Sequence, residues 1–350
     1  EAYAAGLVDE LAYHDELDAL VGDMTGAAAR EQYVELWDYA RGNDGGGRGG
    51  TIALIHATGT IVSGRSGFDP VNGPLLGSDT LIEHIRAAHA NRAVRAVVLR
   101  IDSPGGSSVA SDVIWRELMR LKEGDRPLPL VVSMSDLAAS GGYYLAMAGD
   151  VIVAQPGTLT GSIGVFSGKF VTGGAFEKLG ANIETTSEGR HADIYSPDRP
   201  FTAEERQKLL ASMQVFYDQF VEKAADARQT TPERVAAVAQ GRVWTGRQAR
   251  EAGLVDQLGG VYTAIAVAKQ RARIPEDDEV SLVVFPPPKS VLEVLTEQWP
   301  GARAERGAAA AALAALAGPR ERRALASVLA PSRLFGPGEV LALMPHVLGR

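Results

Sequence analysis

The chain has 350 residues, 45% of them hydrophobic and 22% charged, enough to bury a large core or to hold two domains. A net charge of −8 with no basic stripe excludes the electrostatics of a nucleic-acid binder. The absence of cysteine excludes disulfides, zinc–thiolate and iron–sulfur sites and a cysteine nucleophile.

In chain order, residues 2–11 read A-Y-A-A-G-L-V-D-E-L, and the pattern returns as A-R-E-A-G-L-V-D-Q-L at 249–258, one domain length later. The echo predicts duplication. Residues 1–50 are then the tail of a truncated first repeat, closing in the Gly-rich linker G-N-D-G-G-G-R-G-G. Residues 51–285 form a complete second repeat, and residues 286–350 a helical or loosely ordered extension. The longest apolar run, residues 308–317, lies in that extension and is about half of a membrane span.

Residues 51–57 and 94–101 read as strands, with a helix between them capped by Ser78 or Asp79 and running to about residue 90. The loop D-S-P-G-G-S follows, then a helix over 109–122 and a strand over 128–134. The turn D-L-A-A-S-G-G leads into a short helix over 143–148 and a strand over 151–154. Helices over 202–227, 232–239, 246–252 and 260–273 come next, and a late strand over 280–285. Strands alternating with amphipathic helices in this way require a parallel sheet with crossover helices.

Two glycine-rich loops, S-P-G-G (103–106) and A-S-G-G (139–142), follow consecutive strands, so both belong at the carboxyl ends of neighbouring parallel strands, where open α/β sheets put their sites. Glycine there leaves backbone amides uncovered, able to hold a developing oxyanion. Ser140 enters a helix at its positive end and is the candidate nucleophile. A third Gly/Ser turn, T-G-S-I-G-V (160–165), carries Ser162. Neither G-x-G-x-x-G nor a P-loop occurs at these loops, which argues against phosphate binding. A serine needs a base. Among the six histidines, only His191, in G-R-H-A-D-I, falls in a loop able to reach Ser140. The alternative is a buried neutral lysine, and Lys169, in S-G-K-F, is the loop-borne candidate.

At L-R-I-D-S-P-G-G-S, S-M-S-D-L-A-A-S-G-G-Y-Y-L-A, T-L-T-G-S-I-G-V, A-Q-G-R-V-W-T-G and A-G-L-V-D-Q-L-G the chain resembles the signal peptide peptidase A family, serine peptidases with a Ser/Lys dyad. The resemblance covers about residues 51–272. It implies an α/β fold of the Clp protease/crotonase-like kind, a repeated β-β-α superhelix. It implies Ser140 as nucleophile, the amides of Gly106 and Gly141 as oxyanion hole, and Ser162 as the hydroxyl that orients the lysine. Short members carry that lysine in the stretch aligned with G-R-H-A-D-I, where this chain has Ala192. Long members take it from the first repeat. This chain is then expected to be the serine half of a long-form enzyme, its base upstream.

The family further implies hydrophobic signal-peptide remnants as substrates and self-association, as a homotetramer, with inward-facing sites. It implies neither metal nor cofactor. It also implies anchorage at the bacterial inner membrane, with the catalytic domain outside the cytoplasm. Two other readings are a crotonase-type enzyme acting on acyl-CoA thioesters, which shares the oxyanion-hole loops, and a catalytically incomplete peptide-binding scaffold.

Overall fold

Strands that are apolar on both faces hold the centre of the molecule, whose computed structural model describes residues 5–7, 50–180, 184–286 and 340–343. The chain divides into two compact units, Glu1–Gly46 and Gly47–Arg350. Of the first, only residues 5–7 are described, a turn with Leu7 exposed. The expected tail of a first repeat therefore lies almost wholly outside the described residues, as does residues 287–339 of the expected extension.

The second unit opens with β1 (Thr51–Thr58), β2 (Thr60–Val62), β3 (Gly67–Asp69), β4 (Gly73–Gly77) and α1 (Ser78–Ala90). Then come β5 (Val94–Ser103), β6 (Gly105–Ser107), α2 (Ser108–Arg120), β7 (Leu130–Ala139) and α3 (Gly141–Ala146). Next are β8 (Val151–Ala154), β9 (Leu159–Gly161), α4 (Gly173–Lys178), α5 (Ala203–Ala227) and α6 (Pro232–Val238). The described chain closes with β10 (Val243–Thr245), α7 (Gly246–Glu251), β11 (Gln257–Leu258), α8 (Val261–Arg271), β12 (Ser281–Phe285) and β13 (Leu341–Leu343).

The main sheet runs β10-β9-β7-β5-β1-β12, with β8 pairing both β7 and β11. All its pairings are parallel except β9–β10. Alternate residues of one strand serve opposite layers, as the period of two demands. Ala53, Ile55, Val97, Leu99 and Ile101 join the core beneath α1, α2 and α3, whereas Ile52, Leu54, Ala96 and Val98 pack on Ala264 and Ala268 of α8. Burial on both faces explains why these strands read as continuous apolar runs.

A second, five-stranded sheet has the order β13-β6-β2-β4-β3. Here the structure departs from the sequence expectation in several places. β2, β3 and β4 are too short to show a period, and of the S-P-G-G loop Ser103 ends β5 while Gly105 and Gly106 begin β6. β7 does not stop at Met134 but runs to Ala139, so the turn shrinks to Ser140. The N-cap of α1 is Gly77, with no side-chain cap; Ser78 lies inside the helix and accepts a hydrogen bond from the Gly64 amide. Residues 341–343, within the expected helical or loosely ordered extension, form a short strand.

Helix α5 starts where T-A-E-E supplies a capping box: Thr202 Oγ1 accepts from the Glu205 amide, and Glu205 accepts from the Thr202 amide. Arg199 forks onto Glu205 at 2.6 and 2.8 Å and reaches Asp193 at 2.8 Å. The Arg199 hydrogen bonds, with the Thr202 amide second, hold the Glu205 carboxyl down at about 2. A carboxyl depressed by folding stabilises fully above its ordinary value and loses that contribution as the pH falls through the folded one. Glu205→Gln is therefore expected to flatten the fall of Tm between about pH 4.5 and 2. An unchanged acid slope would show that the pair contributes nothing.

Candidate active site

The glycines predicted to bare their amides meet where the two sheets touch. Ser140 joins β7 to α3 with φ 53° and ψ −114°, a positive φ that a non-glycine residue keeps only when its surroundings impose it. Parallel pairing of β7 with β9 sets Ala139 opposite Gly161, and the Ser140 amide donates to the Gly161 carbonyl at 2.8 Å. One residue beyond Gly161, Ser162 also has positive φ, 49°, and its amide donates to Arg242 O at 2.7 Å. The two serines thus leave neighbouring strands at the same level, both almost fully buried. Ser140 Oγ makes a long 3.4 Å contact with the Gly164 carbonyl.

Across from Ser140 stands β6. Ser103 holds its approach: its hydroxyl donates to Gly59 O at 2.7 Å and accepts from the Gly105 amide at 3.2 Å. Gly105 has φ 96°, and a methyl built on it would stand 2.0 Å from the Ala342 carbonyl oxygen, 2.6 Å from the Gly141 nitrogen and 3.0 Å from Ala139 O. No side chain fits there. Gly141 is the first residue of α3, so its N–H has no acceptor within the helix. With only six residues α3 has little macrodipole; the bare amides, not the helix, provide the positive field. Gly106 lies opposite Ala342 in the antiparallel ladder of β6 with β13. The Ser108 amide donates to Val340 O at 3.1 Å, and hydrogen-bonded pairs alternate along such a ladder, so Gly106 and Ala342 form the next bonded pair. Gly105, Gly106 and Gly141 thereby surround one carbonyl oxygen.

The structure brings together Ser140, Ser162, Gly106 and Gly141. The candidate bases have other partners. His191 has Nε2 3.7 Å from Glu204 at the start of α5. Lys169 donates to Ile194 O at 2.8 Å and sits 4.5 Å over the Phe201 ring. Burial, with Arg199 adding, holds the Lys169 ammonium below its ordinary value. Lys122 is bound to Ala148 O and Asp150, Lys223 to Asp112, and Lys269 to Glu276 O and Asp278 O. Burial, seconded by Asp136, raises the Asp102 carboxyl near the end of β5. No group of acidic or histidine residues able to hold a metal occurs among the described residues.

Sequence reasoning missed Phe166 and the strand β13. Phe166 exchanges both backbone hydrogen bonds with Leu341, at 2.9 and 3.0 Å. Nothing in the composition of residues 340–343 signals this pairing. A groove of about 480 Å³ adjoins Ser162, walled by Val165, Phe166, Leu210, Met213 and Tyr217.

Comparison with known proteins places this geometry. The model of peptidase family S49 matches residues 122–275. The chloroplastic serine protease SPPA of Arabidopsis thaliana is 40% identical over 297 residues, 82% of this chain and 43% of that protein. Protease 4 of Salmonella typhi is 37% identical over 273 residues, 77% of this chain and 43% of that protein. Putative protease slr0021 of Synechocystis sp. is 35% identical over 245 residues, 70% of this chain and 82% of that protein. The chain thus spans well under half the length of the first two relatives.

Proposed function

This chain belongs to the signal peptide peptidase A family, peptidase family S49, and on that premise we propose that its serine-type peptidase chemistry runs through Ser140 and a lysine supplied by another part of the intact protein. One observation carries the reading: a serine with positive φ stands at the end of β7 beside Gly105, Gly106 and Gly141, which crowd around one backbone carbonyl oxygen.

In the proposed cycle the neutral lysine takes the Ser140 proton as Oγ attacks a peptide carbonyl. The amides of Gly106 and Gly141 hold the oxyanion, each worth about 3–4 kcal/mol by analogy with measured donors. The lysine then protonates the leaving amine, and water hydrolyses the acyl-enzyme. Ser162, level with Ser140 on the adjacent strand, orients the lysine. An upstream base is supported by the engagement of Lys122, Lys169, Lys223 and Lys269 elsewhere.

Hydrophobic peptides, signal-peptide remnants among them, suit the apolar groove beside Ser162. The Clp/crotonase-like superhelix, tandem duplication, homotetrameric assembly and attachment at the bacterial inner membrane outside the cytoplasm complete the proposal. No helix among the described residues is long and apolar enough to cross a membrane.

The test compares residues 1–350 alone with the intact protein on a hydrophobic peptide ester. The intact protein is expected to be at least about 10²-fold faster, the contribution of a general base. Lys169→Ala should leave that rate within about twofold. Full activity of 1–350 alone, abolished by Lys169→Ala, would make Lys169 the base. Covalent capture of Ser140 by a fluorophosphonate separates the peptidase from a crotonase-type enzyme or an inert scaffold, neither of which needs an activated serine.

A further inference from the structure

Strand β7 does not pair evenly with β5 along its length. The register runs Arg100 with Ser133 and Ile101 with Met134, and then Ser103 with Ala138. Two steps along β5 are matched by four along β7, and the surplus forms a bulge over Ser135, Asp136 and Leu137, opposite Asp102. The surplus is even, so Met134 before it and Ala138 after it both join the main core. The bulge is also where β7 changes partner: residues 131–133 pair with β8, and residues 137–139 with β9. Only the second pairing sets Ala139 opposite Gly161 and so brings Ser140 level with Ser162. In an unbulged strand Ser140 would overrun that level by two residues, about 6–7 Å.

Surplus residues have lost their ladder partners, so something else must hold them. Side chains do it here. Arg100 leaves β5 one pair before the bulge begins. Its Nη1 donates to Ser133 Oγ at 2.8 Å and to Met134 O at 3.0 Å, and its Nη2 to Ser135 Oγ at 3.0 Å. From the approach to β9, Thr158 Oγ1 donates to Ser135 O at 2.6 Å, and from β9 itself Thr160 Oγ1 donates to Ala138 O at 2.7 Å. Opposite the bulge, burial and then Asp136 push the Asp102 carboxyl up, while Arg100 and the Leu137 amide favour its charged form. A guanidinium is a planar, rigid fork, so Arg100 fixes the direction in which β7 continues as well as its distance from β5.

Building on the assignment of Ser140 as nucleophile, we infer that Arg100 is a positioning residue for the reaction: by clamping the first residues of the bulge it sets how far β7 advances before the serine turn, and with it the approach of Ser140 Oγ to the oxyanion amides. It acts through β7 and touches no reacting atom.

The experiment measures kcat and KM of the intact protein on a hydrophobic peptide ester, with active sites counted by fluorophosphonate labelling of Ser140 run to completion. Arg100→Met keeps a long side chain and loses the fork. Its kcat per labelled site should fall about 10–10²-fold, as an ångström-scale misplacement does, with KM within about twofold. Methylguanidinium added to Arg100→Ala should raise kcat at least about threefold and leave the unaltered protein unaffected. Thr158→Val removes the bond to Ser135 O, should lower kcat in the same sense, and carries the test should Arg100→Met not fold. Arg126→Met is the control: it loses as many hydrogen bonds, to His89 O and Asn91 O, before β7 begins, and should keep its kcat whatever its Tm.

Unchanged kcat per labelled site in both Arg100→Met and Thr158→Val, or a loss that Arg126→Met shares, would overturn the positioning role while leaving the nucleophile in place. Failure of Ser140 to label in the unaltered protein would instead remove the nucleophile, and the role of Arg100 with it.

Discussion

Ser140→Ala is expected to lower hydrolysis of a hydrophobic peptide ester by the intact protein at least about 10³-fold, with Tm almost unchanged. On the proposed assignment, loss of Oγ removes the atom that forms the acyl-enzyme. Activity should not vanish, because the glycine amides still bind a tetrahedral intermediate and water can attack directly. Stability is spared because Oγ makes only a long 3.4 Å contact, so its removal forfeits little. Rates equal to those of the unaltered protein would eliminate Ser140 as nucleophile. A large drop in Tm would assign it a structural role instead.

Gly105→Ala should be strongly damaging while leaving both serines in place. Its φ of 96° strains any side chain, at a cost of order 1–3 kcal/mol, and its methyl would press on the Gly141 nitrogen at 2.6 Å and Ala139 O at 3.0 Å. Both neighbours are rigid backbone flanking Ser140. The nearest atom of all, the Ala342 carbonyl oxygen at 2.0 Å, is backbone too, so relief comes by moving the tail strand, the oxyanion amides or the serine turn, and kcat/KM is expected to fall about 10²–10³-fold. Gly124→Ala is the control: φ is 79° but nothing lies within 4 Å of the added methyl. It should lose only the stability that the strained φ costs and keep its activity. Similar activity losses in both variants would show that strain alone, rather than the cradle, accounts for the effect.

The main sheet was legible because parallel strands buried on both faces are written as unbroken apolar runs: V-R-A-V-V-L-R-I became β5, and L-V-V-S-M became the first half of β7. The long helix was legible for a different reason, since T-A-E-E announces its own N-terminus. The second sheet was not legible. Its strands have three to five residues, three of them contain glycine, and the partners of β6 and β13 are remote in sequence. Periodicity needs more residues than that to show.

At the site, glycine clustering pointed to Ser140 and to the amides around it, because uncovered backbone leaves a compositional trace. The partners taken by His191 and Lys169 left none. Both lie in loops whose course is set by tertiary pairing, His191 toward Glu204 and Lys169 toward Ile194 and Phe201. The tail strand left none either, since it is held through its main chain.

Anchoring Ser162 to Arg242, and the neighbouring Ile163 carbonyl to the Gly241 amide, has a consequence in time. On the ribosome, the serine turn emerges roughly 100 residues before the segment that fixes its companion, about 5–20 s at ordinary elongation rates. Throughout that interval the half-made chain has no assembled cutting centre with which to attack itself or its neighbours. On the proposed assignment, the two serines come into register only when the later segment docks, so the assembly of the site belongs to the completion of folding.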